Sequence, residues 1–112
     1  MQTSSREYKD DIADLTTKDA FDALEGLTPV TYVYKSDRAQ QHVGFIAEDV
    51  PDLVATQDRK GLSSMDVVAV LTKVVKEQQK VNEEQQAIIQ QLQEKNSRLE
   101  QLEQRLLALE GK

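Results

Sequence analysis

The second half of the chain carries an apolar seam with the spacing of a coiled coil. Apolar residues recur there in alternating steps of three and four over about five heptads. They are Leu71, Val74, Val81, Ile88, Leu92, Leu99, Leu102, Leu106 and Leu109. No proline or glycine interrupts the stretch before Gly111, so we expect one helix from about Ser64 to Glu110, roughly 70 Å long. The residues before it are too few to cover such a helix, and the seam therefore predicts self-association.

The heptad frame identifies the residues of the predicted interface. Position a holds Leu71, Gln78, Gln85, Leu92, Leu99 and Leu106, and position d holds Val74, Val81, Ile88, Lys95, Leu102 and Leu109. The polar residues Gln78, Gln85 and Lys95 lower stability at these core positions but fix register and oligomeric state. Apolar residues at position e widen the seam and favour three strands over two; these are Val68, Val75 and Ile89. At the start of the helix, Ser63 and Asp66 have the spacing of a capping box.

The first half of the chain begins with a different pattern, that of a short helix. The segment TTKDAFDALEGL offers Thr16 or Thr17 as the N-cap and Gly26 as the C-terminal stop. The apolar face of this helix would consist of Ala20, Phe21 and Leu24.

Two strands are predicted after this helix. TPVTYVYK has the β-branched and aromatic residues of a strand, with Val30, Tyr32 and Tyr34 on one side. SDRAQQ predicts a polar turn, and HVGFIAEDV predicts a second strand that turns helical at its end and stops at Pro51. DLVATQ is a candidate third strand, and DRKG a turn into the long helix.

The chain is therefore expected to be α+β, with a small mixed head over residues 1–62 and a coiled-coil stalk over residues 63–112. Its 112 residues are only 38% apolar and 4% aromatic, which does not supply a large core for a monomer. Burial must come partly from association with other chains.

Composition and charge exclude several classes of function. A net charge of -6 argues against nucleic acid and against an anionic membrane as partners. No apolar run approaches the roughly 20 residues of a membrane span, and the start lacks the pattern of a signal peptide. Without cysteine there is no disulfide or thiolate metal site, and one histidine is too few for a histidine-based metal site. We expect neither a metal nor a cofactor.

The first ten residues place serines close to a lysine, in the segment SSREYK. One interpretation is a solvated arm; the other is a serine nucleophile with a lysine base that cuts the chain just ahead of itself. Lysine takes a proton only when neutral, and because its reference pKa is about 10.4, a lysine base needs desolvation. Three carboxylates near Lys9 favour its charged form: those of Glu7, Asp10 and Asp11.

The order of these motifs resembles the C-terminal intramolecular chaperone domain of phage tailspikes and tail fibres of the endosialidase type. The same module occurs in neck appendage proteins and in myelin regulatory factor-like transcription factors. The matching stretches are SSREYKDDI, AFDALEGLTPVTYVYK, HVGFIAEDVPDLV and LSSMDVVAVLTKVVKEQQ, which cover most of the chain in the order of that family.

The resemblance implies a homotrimer that assists folding of an upstream fibre or tailspike domain of the same polypeptide during assembly of the phage virion tail in the host cytoplasm. It also implies autocatalytic release by a serine–lysine dyad, with the cut immediately before the serine. The family places the lysine five residues after the nucleophile, so Ser4 corresponds to the nucleophile, Lys9 to the base, and the cut to the Thr3–Ser4 bond. The histidine before the Gly-Phe-Ile-Ala segment, implicated in the family, is His42.

One position departs from the family pattern. The aspartate that usually follows the nucleophile is Ser5 here, so cleavage is expected to be slow or absent if that carboxylate orients the lysine or the scissile peptide. We hypothesise that trimer assembly buries Lys9, which makes the base competent only after association.

Two other functions remain open at this stage. One is a structural coiled-coil trimerisation domain without chemistry, in which Ser4 and Lys9 belong to a solvated arm. The other is a holdase that binds unfolded chains in a groove along its long helices.

Overall fold

A computed structural model describes residues 4–111 and confirms the predicted α+β class with a long C-terminal helix. Its elements are a 3-10 turn at Arg6–Tyr8, helix α1 at Thr17–Glu25, strands β1 at Val30–Tyr34 and β2 at Asp37–Gly44, 3-10 turns at Ala47–Asp49 and Asp52–Val54, and helix α2 at Ser64–Glu110. Contacts divide the chain into a first unit that ends at Val75 and a second that begins at Lys76.

Helix α1 begins and ends where the sequence predicts. The Thr16 hydroxyl accepts a hydrogen bond from the Asp19 N–H at 3.1 Å, which makes Thr16 the N-cap. At the other end, a Cβ added to Gly26 would lie 2.6 Å from Pro51 Cγ, so only glycine allows this close approach. The buried residues of the helix are Ala20, as predicted, and Ala23, which the prediction missed. The larger Phe21 and Leu24 are only partly buried.

Strands β1 and β2 form an antiparallel hairpin in which Tyr32 pairs with His42 and Tyr34 with Asp37. The chain reverses over Lys35 and Ser36 alone, so most of the predicted polar turn SDRAQQ belongs to β2 instead. Alternation of apolar residues does not reveal this part of β2, because every residue from Asp37 to Gln41 is exposed. The register shifts between Tyr32 and Tyr34, where β2 contains the additional residues.

The segment between the hairpin and α2 is built from turns. The predicted third strand is wrong: Asp52–Val54 is a 3-10 turn, and only Ala55 forms an isolated bridge, with Leu62. Arg59 holds the preceding loop, since its guanidinium donates to Asp52 Oδ1 at 2.5 Å and to the carbonyl oxygens of Glu48 and Val50. These hydrogen bonds replace the sheet pairing that a third strand would have supplied.

The core of the first unit joins the head segments to the first turns of α2. Its buried residues are Ala23, Val50, Val54, Val67 and Val70, with Leu15, Leu27, Phe45, Ala55 and Leu62 packed partly buried around them. Because two of the five buried residues come from α2, the helix contributes to the head before it becomes the stalk.

Helix α2 is capped as predicted, and beyond Val81 all its side chains lie in solvent. The Ser63 hydroxyl accepts from the Asp66 N–H at 3.3 Å, and the helix runs for 47 residues. Every residue from Asn82 to Gly111 is exposed, including the seam leucines Leu102 at 52% and Leu109 at 65%. Among residues 4–111, no helix combines the length and the hydropathy that crossing a bilayer requires.

Candidate functional site

The N-terminal arm forms a tight turn between the two residues of the predicted dyad. The Ser5 hydroxyl accepts a hydrogen bond from the Glu7 N–H at 3.2 Å, and the Tyr8 N–H donates to the Ser5 carbonyl oxygen at 3.1 Å. The Lys9 N–H then donates to the Arg6 carbonyl oxygen at 3.2 Å. Ser5 is therefore the N-cap of the turn. Ser4 comes just before this turn, and Lys9 ends it.

The arm is open to solvent in a single copy. Ser4 and Lys9 are both exposed, and so are the apolar side chains of Tyr8 at 69% and Ile12 at 54%. Large apolar side chains that flank a lysine and lie in water form a surface that association with another chain would bury.

His42 belongs to an aromatic cluster on the hairpin. Its ring stacks on that of Tyr32 with centroids 5.6 Å apart, and it meets the ring of Tyr34 edge to face at 5.1 Å. The two tyrosine rings are themselves edge to face at 5.2 Å, and their hydroxyl oxygens lie 3.3 Å apart. The pKa of Tyr32 is raised mainly by its hydrogen bond with Tyr34 and, to a smaller extent, by desolvation. The cluster fixes the plane of the imidazole through two partners on the opposite strand.

Gly44 leaves the space that the Tyr32 ring of this cluster occupies. A Cβ at Gly44 would come within 3.1 Å of Tyr32 Cε1, so the absence of a side chain lets the Tyr32 ring lie over the strand. Beside the ring opens a cavity of about 470 Å³, which we call the hairpin groove. It is lined by Tyr32, Tyr34, Phe45, Leu62, Val67 and Val68, among others.

The structure places the predicted site residues in two separate environments, the exposed arm and the hairpin cluster. Within residues 4–111, no hydrogen bond or ion pair joins Ser4, Lys9 and His42 to one another. Thr3, the other side of the predicted cut, lies outside the described residues. In the same part of the chain, no group of three or more histidine, cysteine, aspartate or glutamate residues is arranged to hold a metal ion.

The sequence prediction missed the partners of His42. The signal was present, because the alternation in TPVTYVYK put Tyr32 and Tyr34 on one side of β1. What the sequence does not give is the register, and only the pairing of Tyr32 with His42 brings both tyrosines to the imidazole.

Comparison with known proteins gives one match. Residues 4–58 match the family model described as "Chaperone of endosialidase", so the matched region extends from the arm through α1 and the hairpin to the loop after the 3-10 turns. No curated protein sequence and no solved structure matches the chain at a significant level.

Proposed function

Because residues 4–58 belong to the chaperone-of-endosialidase family, we propose that this chain is a C-terminal intramolecular chaperone domain that releases itself by autoproteolysis. Three copies associate along the seam of α2 and hold an upstream fibre or tailspike segment of the same polypeptide in register. Interchain β structure forms slowly because its contacts are distant, and tethering raises the local concentration of the partners. The setting is assembly of a phage virion tail, with folding in the host cytoplasm.

The family match is the observation that carries this proposal, and the position where it begins supports the site. The matched region starts at Ser4, the residue that the resemblance assigns as the nucleophile, and it includes Lys9 and His42. The stalk lies beyond the match, and its role in association is supported by its own exposed apolar seam.

The proposed cleavage is an attack by Ser4 on the peptide bond before it. The Ser4 Oγ adds to the Thr3 carbonyl carbon, the C–N bond breaks, and the acyl group passes to Oγ as an ester while the Ser4 nitrogen leaves as an amine. Neutral Lys9 takes the hydroxyl proton and gives it to that nitrogen. Water then hydrolyses the ester, which yields the Thr3 carboxylate and restores the Ser4 hydroxyl. His42 acts as a donor to the oxyanion or orients the groups around it.

Association supplies the dry environment that the lysine base needs. A lysine surrounded by water remains charged at neutral pH, and burial favours the neutral amine. Tyr8 and Ile12, half or more exposed in one copy, are the side chains next to Lys9 that a neighbouring copy would cover. Cleavage would therefore follow assembly, so that release reports on a correctly formed trimer.

Replacement of the usual aspartate by Ser5 leads us to expect slow or absent cleavage, but the turn at Ser5 supports the proposal that cleavage would be retained. Ser5 caps the turn with its hydroxyl oxygen, and aspartate is an equally good N-cap. On this view the usual aspartate holds the turn between nucleophile and base rather than taking part in proton transfer, and serine preserves that role.

Intact mass measured during incubation at a series of concentrations tests the proposal. We expect loss of residues 1–3 at a rate that rises with the assembled fraction, no cleavage in Ser4→Ala, and cleavage retained in Ser5→Asp. A rate that is unchanged in monomers made by a charged seam substitution contradicts the assembly requirement. Cleavage that persists in Ser4→Ala contradicts the nucleophile.

A second candidate function is a trimerisation domain without chemistry. The exposure of Ser4 and Lys9 in a single copy favours it. It predicts a stable trimer whose mass never changes, at any concentration or pH.

A further inference from the structure

The hairpin groove is bordered on two sides by side chains that its own chain leaves uncovered. Val67 in α2 is buried in the core with 8% exposure, whereas its neighbour Val68 is 52% exposed and faces the groove. On the other side of the groove, Tyr34 is 53% exposed. Two large apolar side chains therefore border a cavity of about 470 Å³ that is open to solvent.

We propose that a second copy of this chain covers the hairpin groove, so that the interface between copies extends from the stalk into the head. The inference rests on the proposed self-association and names the surface of the head that association closes. Its occupant is the same protein, and the reasons are continuity with the seam and the charges along α2.

Continuity links the groove to the seam of α2. Val68, Leu71 and Val75 occupy heptad positions e, a and e, and all three are exposed, at 52%, 41% and 63%. Residues three and seven apart lie on the same side of a helix, so these side chains form one stripe. Val68 is the first member of that stripe and also part of the groove wall. A helix that packs against the stripe must therefore lie beside the groove.

The charges along α2 favour a parallel neighbour in register. Arginines occupy position g at residues 98 and 105, and glutamates occupy position e five residues later at 103 and 110. In a parallel coiled coil, position g of one chain faces position e of the next heptad in its neighbour, so both arginines meet glutamates. Parallel chains place their heads at the same end, which brings a neighbouring head to each hairpin groove.

The polar core positions are consistent with the same orientation. In register, Gln78 and Gln85 each face their own counterparts, and amides can donate and accept hydrogen bonds among themselves. An antiparallel pair that overlaps along the whole seam would place Gln78 against Leu102, which leaves the amide without a partner. It would also place the heads at opposite ends and leave the hairpin groove open.

Closure of the groove would connect assembly to the aromatic cluster. Tyr34 contacts both Tyr32 and His42, so a copy that covers Tyr34 changes the surroundings of the imidazole as well. Association along the stalk would in this way change the environment of His42, although α2 itself does not contact the imidazole.

Thiol labelling tests the proposal, since the chain has no cysteine of its own. Single variants Tyr34→Cys and Val68→Cys report on the groove, Ile88→Cys on the stalk, and Thr31→Cys on an exposed site away from it. Maleimide labelling rates are compared above and below the concentration of half-association. We expect labelling at residues 34, 68 and 88 to slow at least about tenfold on association, with no change at residue 31.

The outcomes separate this inference from the proposed function. If residue 88 is protected while residues 34 and 68 label at their monomer rates, the stalk associates without the head and the inference is wrong. If residue 88 labels equally fast at every concentration, self-association itself fails. If circular dichroism shows that a cysteine variant does not fold, Val68→Asp is tested instead, with Gln79→Asp as its control. We expect association to weaken in Val68→Asp and not in Gln79→Asp. Equal association of the two variants would overturn the proposal.

Discussion

The head and the stalk use their apolar residues in opposite ways. In the first unit, Val54 and Val70 are fully buried by the chain itself, at 0% and 1% exposure. In the second unit, Leu99 and Leu106 are 58% and 59% exposed, although both hold core positions of the heptad frame. The head is thus held by intramolecular contacts, whereas the stalk leaves the apolar residues of its seam in solvent.

This difference separates two kinds of stability. The contacts of the head's core lie within one chain, whereas a coiled coil forms by mass action and strengthens with concentration. A helix of 47 residues with little tertiary packing would gain most of its stability from the proposed association. Unfolding should therefore depend strongly on protein concentration for the stalk and more weakly for the head, where only the hairpin groove is proposed to meet another copy.

The largest effect is expected from a charge in the seam. Leu102→Asp places one carboxylate per chain at a d position, and because burying charge without a partner is strongly unfavourable, association should weaken by at least about a hundredfold in concentration. Sedimentation velocity measures the oligomeric state. The matched control is Gln104→Asp at the outer f position, which should associate normally. Equal association of the two variants would show that the seam is not the interface.

A smaller effect is expected from the head's core. Val54→Ala removes a fully buried side chain and should lower the free energy of unfolding by about 2 kcal/mol, from lost burial and the cavity left behind. The matched control is Val43→Ala, because Val43 is 76% exposed and its truncation should change little. Thermal unfolding of the head checks both variants. Association weakened by Val54→Ala as much as by Leu102→Asp would show that the seam is not the main interface.

A third prediction compares the stability of alanine variants at two glycines of the head. Gly26→Ala drives a methyl group to 2.6 Å from Pro51 Cγ and should cost about 1–2 kcal/mol through strain. Gly61→Ala is the control, because its added Cβ would sit at an ordinary 3.5 Å from Thr56. Denaturant unfolding compares the two. Equal stability would show that the contact between α1 and Pro51 adjusts without strain.

The sequence predicts the stalk better than the head for a physical reason. A heptad repeat indicates the period and the apolar face of a helix several times along the sequence. The cap at Ser63 and the end at Glu110 could therefore be predicted from the local pattern. The turns after the hairpin depend instead on single tertiary contacts. The Arg59 guanidinium donates to the carbonyl oxygen of Glu48, 11 residues earlier. No local sequence pattern indicates that the segment after Pro51 is a turn rather than a strand.

The candidate site likewise has a part that could be predicted from the sequence and a part that could not. Ser4, Lys9 and His42 follow from the resemblance, and Ser5 as the cap of the turn is consistent with its type. The stacking of His42 on Tyr32 required the strand register, which the irregularity in β2 hides from the sequence. The proposed contacts between copies depend on the exposed seam of several chains, and one chain alone does not show them.

The smallest effect concerns the turn at Asp58, in the head. Hydrogen bonds from the Lys60 N–H at 3.0 Å and then from the Thr56 hydroxyl at 2.7 Å lower the pKa of Asp58 below 3.8. A carboxyl whose pKa is lower when folded stabilises the fold above its unfolded pKa, and that contribution disappears as pH falls through the folded value. In an NMR titration of the Asp58 carboxyl, Thr56→Val should raise the pKa toward 3.8 while keeping the shape of the side chain. An unchanged pKa would mean that the Lys60 N–H alone stabilises the Asp58 carboxylate.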